Sequence, residues 1–375
     1  MQANKHLKVV HIASGDLWAG AEAQLFTLAK TLQRYTETDV HVILMNHGML
    51  EEKLLAENIP VTVLDEATLN PARLFAGIIK ALRNITPDIV HTHRQKENIL
   101  GSIAALFAGN IPSLRTVHGA PEHHPGWRQF PKRVVYTLDW LCGRFIQKKL
   151  IAVSEDLTGI LKKDFPAERI VTIENGVDIE AIQQVVSNLP PRTRAPGGAF
   201  RVGLAGRLVP IKRVDMVIKT AKYLMDHHPD FNVSFHIMGD GPLRKELETL
   251  SQQLGTEGII EFEGHCSDIV ERLYRFDALL MTSDHEGLPM VLLESIALQL
   301  PVIAHNVGGI PKVIGNNCGL LADHQKAETY ASLILELASS DKDAIRQLTE
   351  SALNRINTGY SSNTNAVAIF EQYSG

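Results

Sequence analysis

Short apolar runs of strand length alternate with helix-length amphipathic segments along almost the whole chain, and few folds accept that rhythm. In the first half the runs are Leu7–Ala13, Val40–Met45, Val61–Leu64, Ile89–His91, Leu114–Val117, Leu150–Val153 and Ile170–Ile173. Between them apolar residues recur at helical spacing, as in Leu25, Leu28, Ala29 and Leu32. A strand that is apolar on both sides must be covered on both sides, so strand–helix repetition predicts parallel sheets sandwiched by helices. The rhythm breaks at Asn188–Phe200, NLPPRTRAPGGAF, which is dense in Pro and Gly as a linker is. It resumes with strands expected at Val202–Ala205, Val233–Met238, Ile259–Phe262, Ala278–Met281 and Val302–Ala304. The last segments, Glu328–Ala338, Ala344–Ile356 and Asn363–Tyr373, read as helices without a closing strand. The expected fold class is α/β, two doubly wound Rossmann-like domains facing across a cleft. Their expected bounds are 1–190 and 191–357, with 358–375 a C-terminal helix packing back towards the N-terminal domain.

Composition removes several classes. Against 42 Asp and Glu stand 37 Lys and Arg, a net charge of −5, so the basic footprint of a nucleic-acid binder is missing. Apolar residues make up 45% and fall in regular blocks, which is not the pattern of a disordered chain. The longest apolar stretch, Ile99–Gly109, is about half of the roughly 20 residues that a membrane span needs. Met1–Lys8 is polar and runs straight into a strand, so no signal peptide is expected. Cys142, Cys266 and Cys318 lie far apart and suggest neither a metal frame nor disulfides. These features point to a reduced, cytoplasmic compartment.

In doubly wound sheets ligands gather beyond the carboxyl ends of strands, so the loops there matter most. The first strand is followed by Asp16-Leu17-Trp18-Ala19-Gly20-Ala21-Glu22, where small residues leave helix N-terminal amides open to an anion, or simply make a turn. His118 follows Leu114–Val117, where an imidazole serves as hydrogen-bond donor, as general base or as a strand cap. Alternation puts His91 and His93 on one face, but no carboxylate or cysteine at matching spacing completes a metal site.

The second half says more. Gly206-Arg207-Leu208 ends its first strand, and Lys212 and Arg213 are expected to open the next helix, so that Arg207 and Lys212 converge on one anionic group. Gly241-Pro242 reads as a turn into a helix. His265 and Cys266 follow another strand, where their backbone can line a base pocket, and Ser267 or Asp268 can cap the helix beyond. The richest segment is Thr282–Glu294. Its loop carries Glu286, Gly287 and Leu288, Pro289 suits a first helical position, and free amides there face an anion. Glu294 follows inside an almost wholly apolar helix, where a carboxylate is costly unless it is paired or used, for instance to hold the vicinal diol of a ribose.

Taken together these motifs resemble the retaining GT-B glycosyltransferases of glycosyltransferase family four, the group 1 glycosyl transferases. The likeness spans nearly all the chain and is most specific from Val202 to Ile314. It rests on Gly206-Arg207-Leu208 with Lys212, the Met238–Pro242 turn, Phe262–Asp268, and Glu286 and Glu294 with seven residues between them. Asn175–Asp178 and Gly308-Gly309-Ile310-Pro311 are further shared features. The resemblance implies an acceptor-binding first domain and a second domain that binds a nucleoside-diphosphate sugar, with uridine as the base. Arg207 and Lys212 would hold the diphosphate with amides around Gly287 and Leu288. Glu294 would hold the ribose, Glu286 the transferred sugar, and His118 that sugar near its reacting carbon. Gly20 and Ala21 match the family's Gly-Gly-Ala-Glu element, although Ala19 stands where its first glycine belongs. Transfer with retention needs no metal on this reading, and the one Asp-x-Asp element, Asp341-Lys342-Asp343, reads as a helix start.

The acceptor is approached through His123–Lys149, where Trp127, Phe130, Tyr136, Trp140 and Phe145 are interleaved with six basic residues and one acidic, Asp139. This segment suits peripheral contact with the inner face of the plasma membrane and a lipid-linked or glycan acceptor, or else a core helix with a solvated basic edge. A cell-surface polysaccharide, lipopolysaccharide or glycolipid is the implied product. Two rival readings use the same scaffold: a nucleotide-sugar epimerase and a non-catalytic nucleotide-sugar binder.

Overall fold

The computed structural model describes residues 6–16, 18–119, 130–195, 197–315 and 317–374. They form two compact units, one made of residues up to Gly176 together with Ser362 onward, the other of Val177–Ser361. The strands of the first are β1 (Leu7–Ala13), β2 (Thr38–Leu44), β3 (Val61–Val63), β4 (Ile89–Thr92), β5 (Ser113–Val117), β6 (Lys149–Ala152) and β7 (Ile170–Thr172). Those of the second are β8 (Phe200–Ala205), β9 (Val233–Met238), β10 (Ile260–Gly264), β11 (Ala278–Met281), β12 (Val302–His305) and β13 (Leu320–Ala322). The sheet orders are β3-β2-β1-β4-β5-β6-β7 and β10-β9-β8-β11-β12-β13. Every strand pairing in both sheets is parallel, as doubly apolar strands joined by helical crossovers require. In each sheet the winding direction reverses once, between β1 and β4 and between β8 and β11. Crevices for ligands form beyond the carboxyl ends of strands at such points.

The expected boundary at 190/191 is corrected. The chain changes units at Gly176/Val177 and again at Ser361/Ser362. The helix Ile179–Ser187 buries Ile179 and Ile182 in the second unit's core, beside Leu292 and Leu293. The Pro- and Gly-rich stretch after it is anchored to that unit, because Arg192 donates to the carbonyls of Tyr274, Leu298 and Gln299 and stacks on the Tyr274 ring. A linker-like composition thus marks an irregular segment and not the crossing point.

The last helix, Ser362–Ser374, lies in the first unit and places Ala366, Ile369 and Tyr373 in a core with Leu25, Leu28 and Leu32. The chain has a closing strand after all: β13 pairs with β12, and its three residues are too few for an alternation to show. Two helix starts also differ from expectation. The segment Pro210–Lys212 is a tight 3-10 turn, Arg213 is left-handed (φ 48°), and the helix begins at Val214, so Lys212 and Arg213 precede the helix instead of opening it. Pro289 caps a helix that runs Met290–Ala297. Eight residues are too few for a helix to hold itself in water. Burial of Leu292, Leu293 and Ile296 holds this one, at about 1.5–3 kcal/mol per side chain. Asp341 caps its helix, accepting from the Ala344 amide at 2.7 Å, as expected.

Candidate functional site

At the switch point of the second sheet, the loops after β8 and β11 are tied together. Thr282 Oγ1 donates to the carbonyls of Lys212 (3.1 Å) and Arg213 (2.9 Å), and the Asp284 amide donates to Ile211 O at 2.8 Å. Arg213 binds Asp215 and Asp284, while Gln325 donates to Thr282 O at 2.5 Å. This frame brings Lys212 Nζ to 2.6 Å from Glu286 Oε1, which also accepts from Ser283 Oγ at 2.6 Å. Glu286 is buried and Lys212 is half-buried, so the pair is strong and its geometry well defined. Glycines allow the loops to meet backbone to backbone. A Cβ on Gly308 (φ 56°) would stand 1.8 Å from Glu286 O, and one on Gly239 (φ 142°) 1.9 Å from Gly206 O.

The Lys212 stem lies over Gly206, its Cε 3.6 Å from where a Cβ would be, while the neighbouring Arg207 is exposed and makes no ion pair among the described residues. Glu294 sits about one and a half turns into the helix that follows the Glu286 loop. It is half-buried, its carboxylate has no hydrogen-bond partner among the described residues, and burial pushes its pKa up to about 7. Beyond β9 and β10, Gly241 fits against the Leu208 backbone, His265 is exposed, and Cys266 Sγ turns back to Gly264 O at 3.4 Å. Leu288 is buried, and its neighbour Gly287 accepts from the Gly309 amide at 3.0 Å.

In the first sheet the switch point is occupied by imidazoles. Pairing of β1 with β4 sets His11 opposite His91. His11 Nδ1 lies 2.9 Å from His93 Nε2, and His93 Nδ1 lies 3.3 Å from His118 Nε2. His91 bonds Tyr373 Oη (2.7 Å) and Thr116 Oγ1 (2.8 Å). Burial is the main cause that lowers all four pKa values, to about 3 for His11 and about 4 for His118. Ligand atoms of His11, His91 and His93 lie within 4.8 Å of one another, but the hydroxyls already engage both His91 nitrogens. Gly20 and Ala21, expected in the turn that leads into a helix, are the first two residues of that helix, Gly20–Tyr35. Its third residue, Glu22, is buried against Arg94 at 2.6 Å, and burial outweighs that cation to raise its carboxyl to about 7.

The structure therefore joins Lys212 to Glu286, two residues that the sequence reading assigned separate tasks. It also brings in His11, Glu22 and Arg94, to which the sequence alone assigns no role. The only sequence signal for His11 is an imidazole inside the otherwise apolar run Val9–Ala13, and its meaning depends on which strand lies alongside. Of the basic–aromatic segment, residues 123–129 lie outside the described residues. In the rest, Asp139 is buried against Arg115 at 3.1 Å, and Trp140 donates to Asp164 O.

Comparison with known proteins agrees with this architecture. Residues 18–181 match the family model "Glycosyltransferase Family 4" and residues 187–355 match "Glycosyl transferases group 1". An Escherichia coli relative, UDP-Gal:alpha-D-GlcNAc-diphosphoundecaprenol alpha-1,3-galactosyltransferase, is 24% identical over 94% of this chain and 93% of its own. The crystal structure of Anabaena HepE with UDP and glucose superposes with a TM-score of 0.81 at 22% identity, covering 99% of this chain and 100% of that one. A mutant of Staphylococcus aureus TarM, crystallised with UDP, alpha-GlcNAc-glycerol and fondaparinux, gives 0.76 at 14% identity over 98% and 100%. The two parallel-sheet units are those of GT-B structures.

Proposed function

The chain belongs to the group 1 glycosyl transferases of glycosyltransferase family 4, and on that premise we propose that it transfers a sugar from a UDP-sugar to a lipid-linked or glycan acceptor, with retention and without a metal. The observation that carries this reading is the cluster at the β8–β11 switch point: Lys212 held by buried Glu286, Arg207 exposed beside it, and further along the carboxylate of Glu294, unpartnered among the described residues. Departure of a nucleoside diphosphate builds negative charge on its oxygens. Lys212 and Arg207 stabilise that charge from fixed positions, with the start of the Met290–Ala297 helix contributing its dipole. Glu294 takes the ribose hydroxyls, an exchange that relieves its lone, desolvated carboxylate. Glu286 meets the transferred sugar, and in the first unit His118 offers an imidazole to a sugar hydroxyl. On same-face attack the leaving phosphate itself receives the acceptor's proton. The UDP in the HepE and TarM crystals supports uridine as the base.

The E. coli relative's diphosphoundecaprenol acceptor supports a lipid-linked one here, and so does the helix Phe130–Leu141. Val134, Val135, Leu138 and Leu141 are exposed on it, with Phe145 67% exposed just beyond and Lys132 and Lys148 exposed at the margins. An apolar stripe with a basic margin suits an anionic phospholipid surface. No helix among the described residues is long and apolar enough to cross a membrane. The proposed location is accordingly the cytoplasmic face of the plasma membrane, and the proposed product a cell-surface polysaccharide, lipopolysaccharide or glycolipid.

A thermal-shift screen against nucleoside diphosphates and their sugars tests the donor. A ligand at a hundred times its dissociation constant stabilises by about 2.7 kcal/mol, and UDP compounds should give the largest shift. Acceptor-dependent release of UDP then separates transfer from epimerisation or mere binding, which release none. Salt-sensitive flotation with anionic vesicles tests the membrane contact, and loss of the effect in a Leu138→Ser, Phe145→Ser double variant locates it.

A further inference from the structure

The histidines of the first unit have an order. The ring centroids of His11 and His93 are 5.2 Å apart and those of His93 and His118 5.6 Å apart, with interplanar angles of 23° and 26°. In both pairs the centroid distance exceeds the nitrogen–nitrogen distance by about two ring radii. The three rings therefore follow one another in line, nearly coplanar, and are joined edge to edge. His91 lies beside this file with its own nitrogens engaged by Tyr373 and Thr116.

A file of neutral imidazoles admits two proton arrangements, because each ring carries one N–H and one lone pair. If His118 donates to His93 and His93 to His11, the last proton sits on His11 Nε2. Among the described residues that atom is buried without any partner, and a buried N–H with nothing to bond is the rarer and costlier orphan. If His11 donates to His93 and His93 to His118, His11 Nε2 is only a bare lone pair. The last proton then emerges on Nδ1 of His118, at the half-buried end of the file.

We infer that the file, sealed at His11, runs in this second direction, so that His93 is a positioning residue that holds His118 in the Nδ1–H tautomer and makes it a hydrogen-bond donor to a sugar oxygen, not a base. Two aligned N–H···N bonds put the positive end of their summed dipole at that Nδ1 and strengthen it as a donor. The identity of the ligand rests on the function proposed above, whereas the tautomer does not. A donor at His118 cannot also accept the acceptor's proton.

Histidine-selective 15N NMR of the full chain at pH 7.5 tests this, with His118→Asn assigning the signal. In the wild-type protein His118 should show a protonated Nδ1 and a bare Nε2. His93→Leu removes the inner donor and should move His118 to the Nε2–H form or to a mixture. His93→Asn sets an amide N–H where Nδ1–H stood and should restore the original form. His11→Leu leaves the inner end apolar and should change nothing, which also controls for placing a leucine in the cluster. A wild-type His118 protonated on Nε2 overturns the inference even if no variant folds, and so does a His93→Leu protein whose His118 keeps its proton on Nδ1. Added UDP-glucose or UDP-galactose should shift the Nδ1 signal. A correct tautomer that neither compound perturbs would uphold the file and remove His118 from the proposed donor site.

Discussion

The two sheets share a topological device and fill it with opposite electrostatics. Between β1 and β4 the space holds neutral imidazoles, buried and joined to one another. Between β8 and β11 it holds a lysine, carboxylates and a serine, with Arg207 exposed at the margin. Reversal of strand order supplies a crevice in both cases, while the residues that end the strands decide what the crevice can hold. The first suits directional hydrogen bonding without net charge, the second an anion bearing hydroxyls. The contrast extends to pH, because histidines buried as neutral rings and a carboxylate raised by burial answer acid with opposite signs.

The largest effect should come from the charged cluster. Lys212→Ala should lower turnover by about 10²–10³, roughly 3–4 kcal/mol, by analogy with loss of an oxyanion donor, with Arg207→Ala close behind. Steady-state kinetics with UDP-sugar check this, and normal turnover in both variants would break the assignment of the second crevice.

Acid comes next. The folded pKa values of His11, His91, His93 and His118 lie below the ordinary 6.5, so the unfolded chain takes up protons just below that pH while the folded one does not. Stability present above pH 6.5 is therefore lost as pH falls through it, at about 1.4 kcal/mol per ring and pH unit. Glu22 and Glu97, raised by burial, return part of this. The first unit should lose on the order of 2 kcal/mol per pH unit between about 6.5 and 4.5. Trp18, Trp127 and Trp140 all precede residue 177, so denaturant titrations followed by tryptophan fluorescence report on that unit by itself.

Glu294 has the reverse sign. Its pKa of about 7 exceeds the ordinary 4.5, so its contribution is full below pH 4.5 and is lost as pH rises through 7. Glu294→Gln should stabilise the second unit by about 2 kcal/mol at pH 8 and by almost nothing at pH 4.5. Hydrogen exchange of peptides from 177–361 reads this, and UDP affinity should fall in the same variant, about tenfold or more. The smallest expected change is His11→Leu, within about 1 kcal/mol at pH 8. The same variant should flatten the first unit's acid dependence by one ring's share, which would tie that dependence to the imidazoles.

Much of this was legible residue by residue. Val233–Met238 and Ala278–Met281 are strands at the expected bounds, because unbroken apolar runs between polar loops have few other uses. Arg207, Lys212, Glu286 and Glu294 were visible as charges where such runs end or, for Glu294, inside one. The β13 strand was hidden by its length, and the Pro-rich stretch misled because composition records irregular backbone and not which core it is fastened to.

Local pattern alone settled the class of fold, the parallel sense of the sheets and the loops that carry charge, since periodicity and strand ends are properties of neighbours in the chain. The Lys212–Glu286 bond spans 74 residues and the His11–His93 bond 82. Both depend on which strands lie side by side and on how completely their ends are desolvated. Those are consequences of packing between distant segments, and they decided that one crevice is charged and half open while the other is neutral and directed.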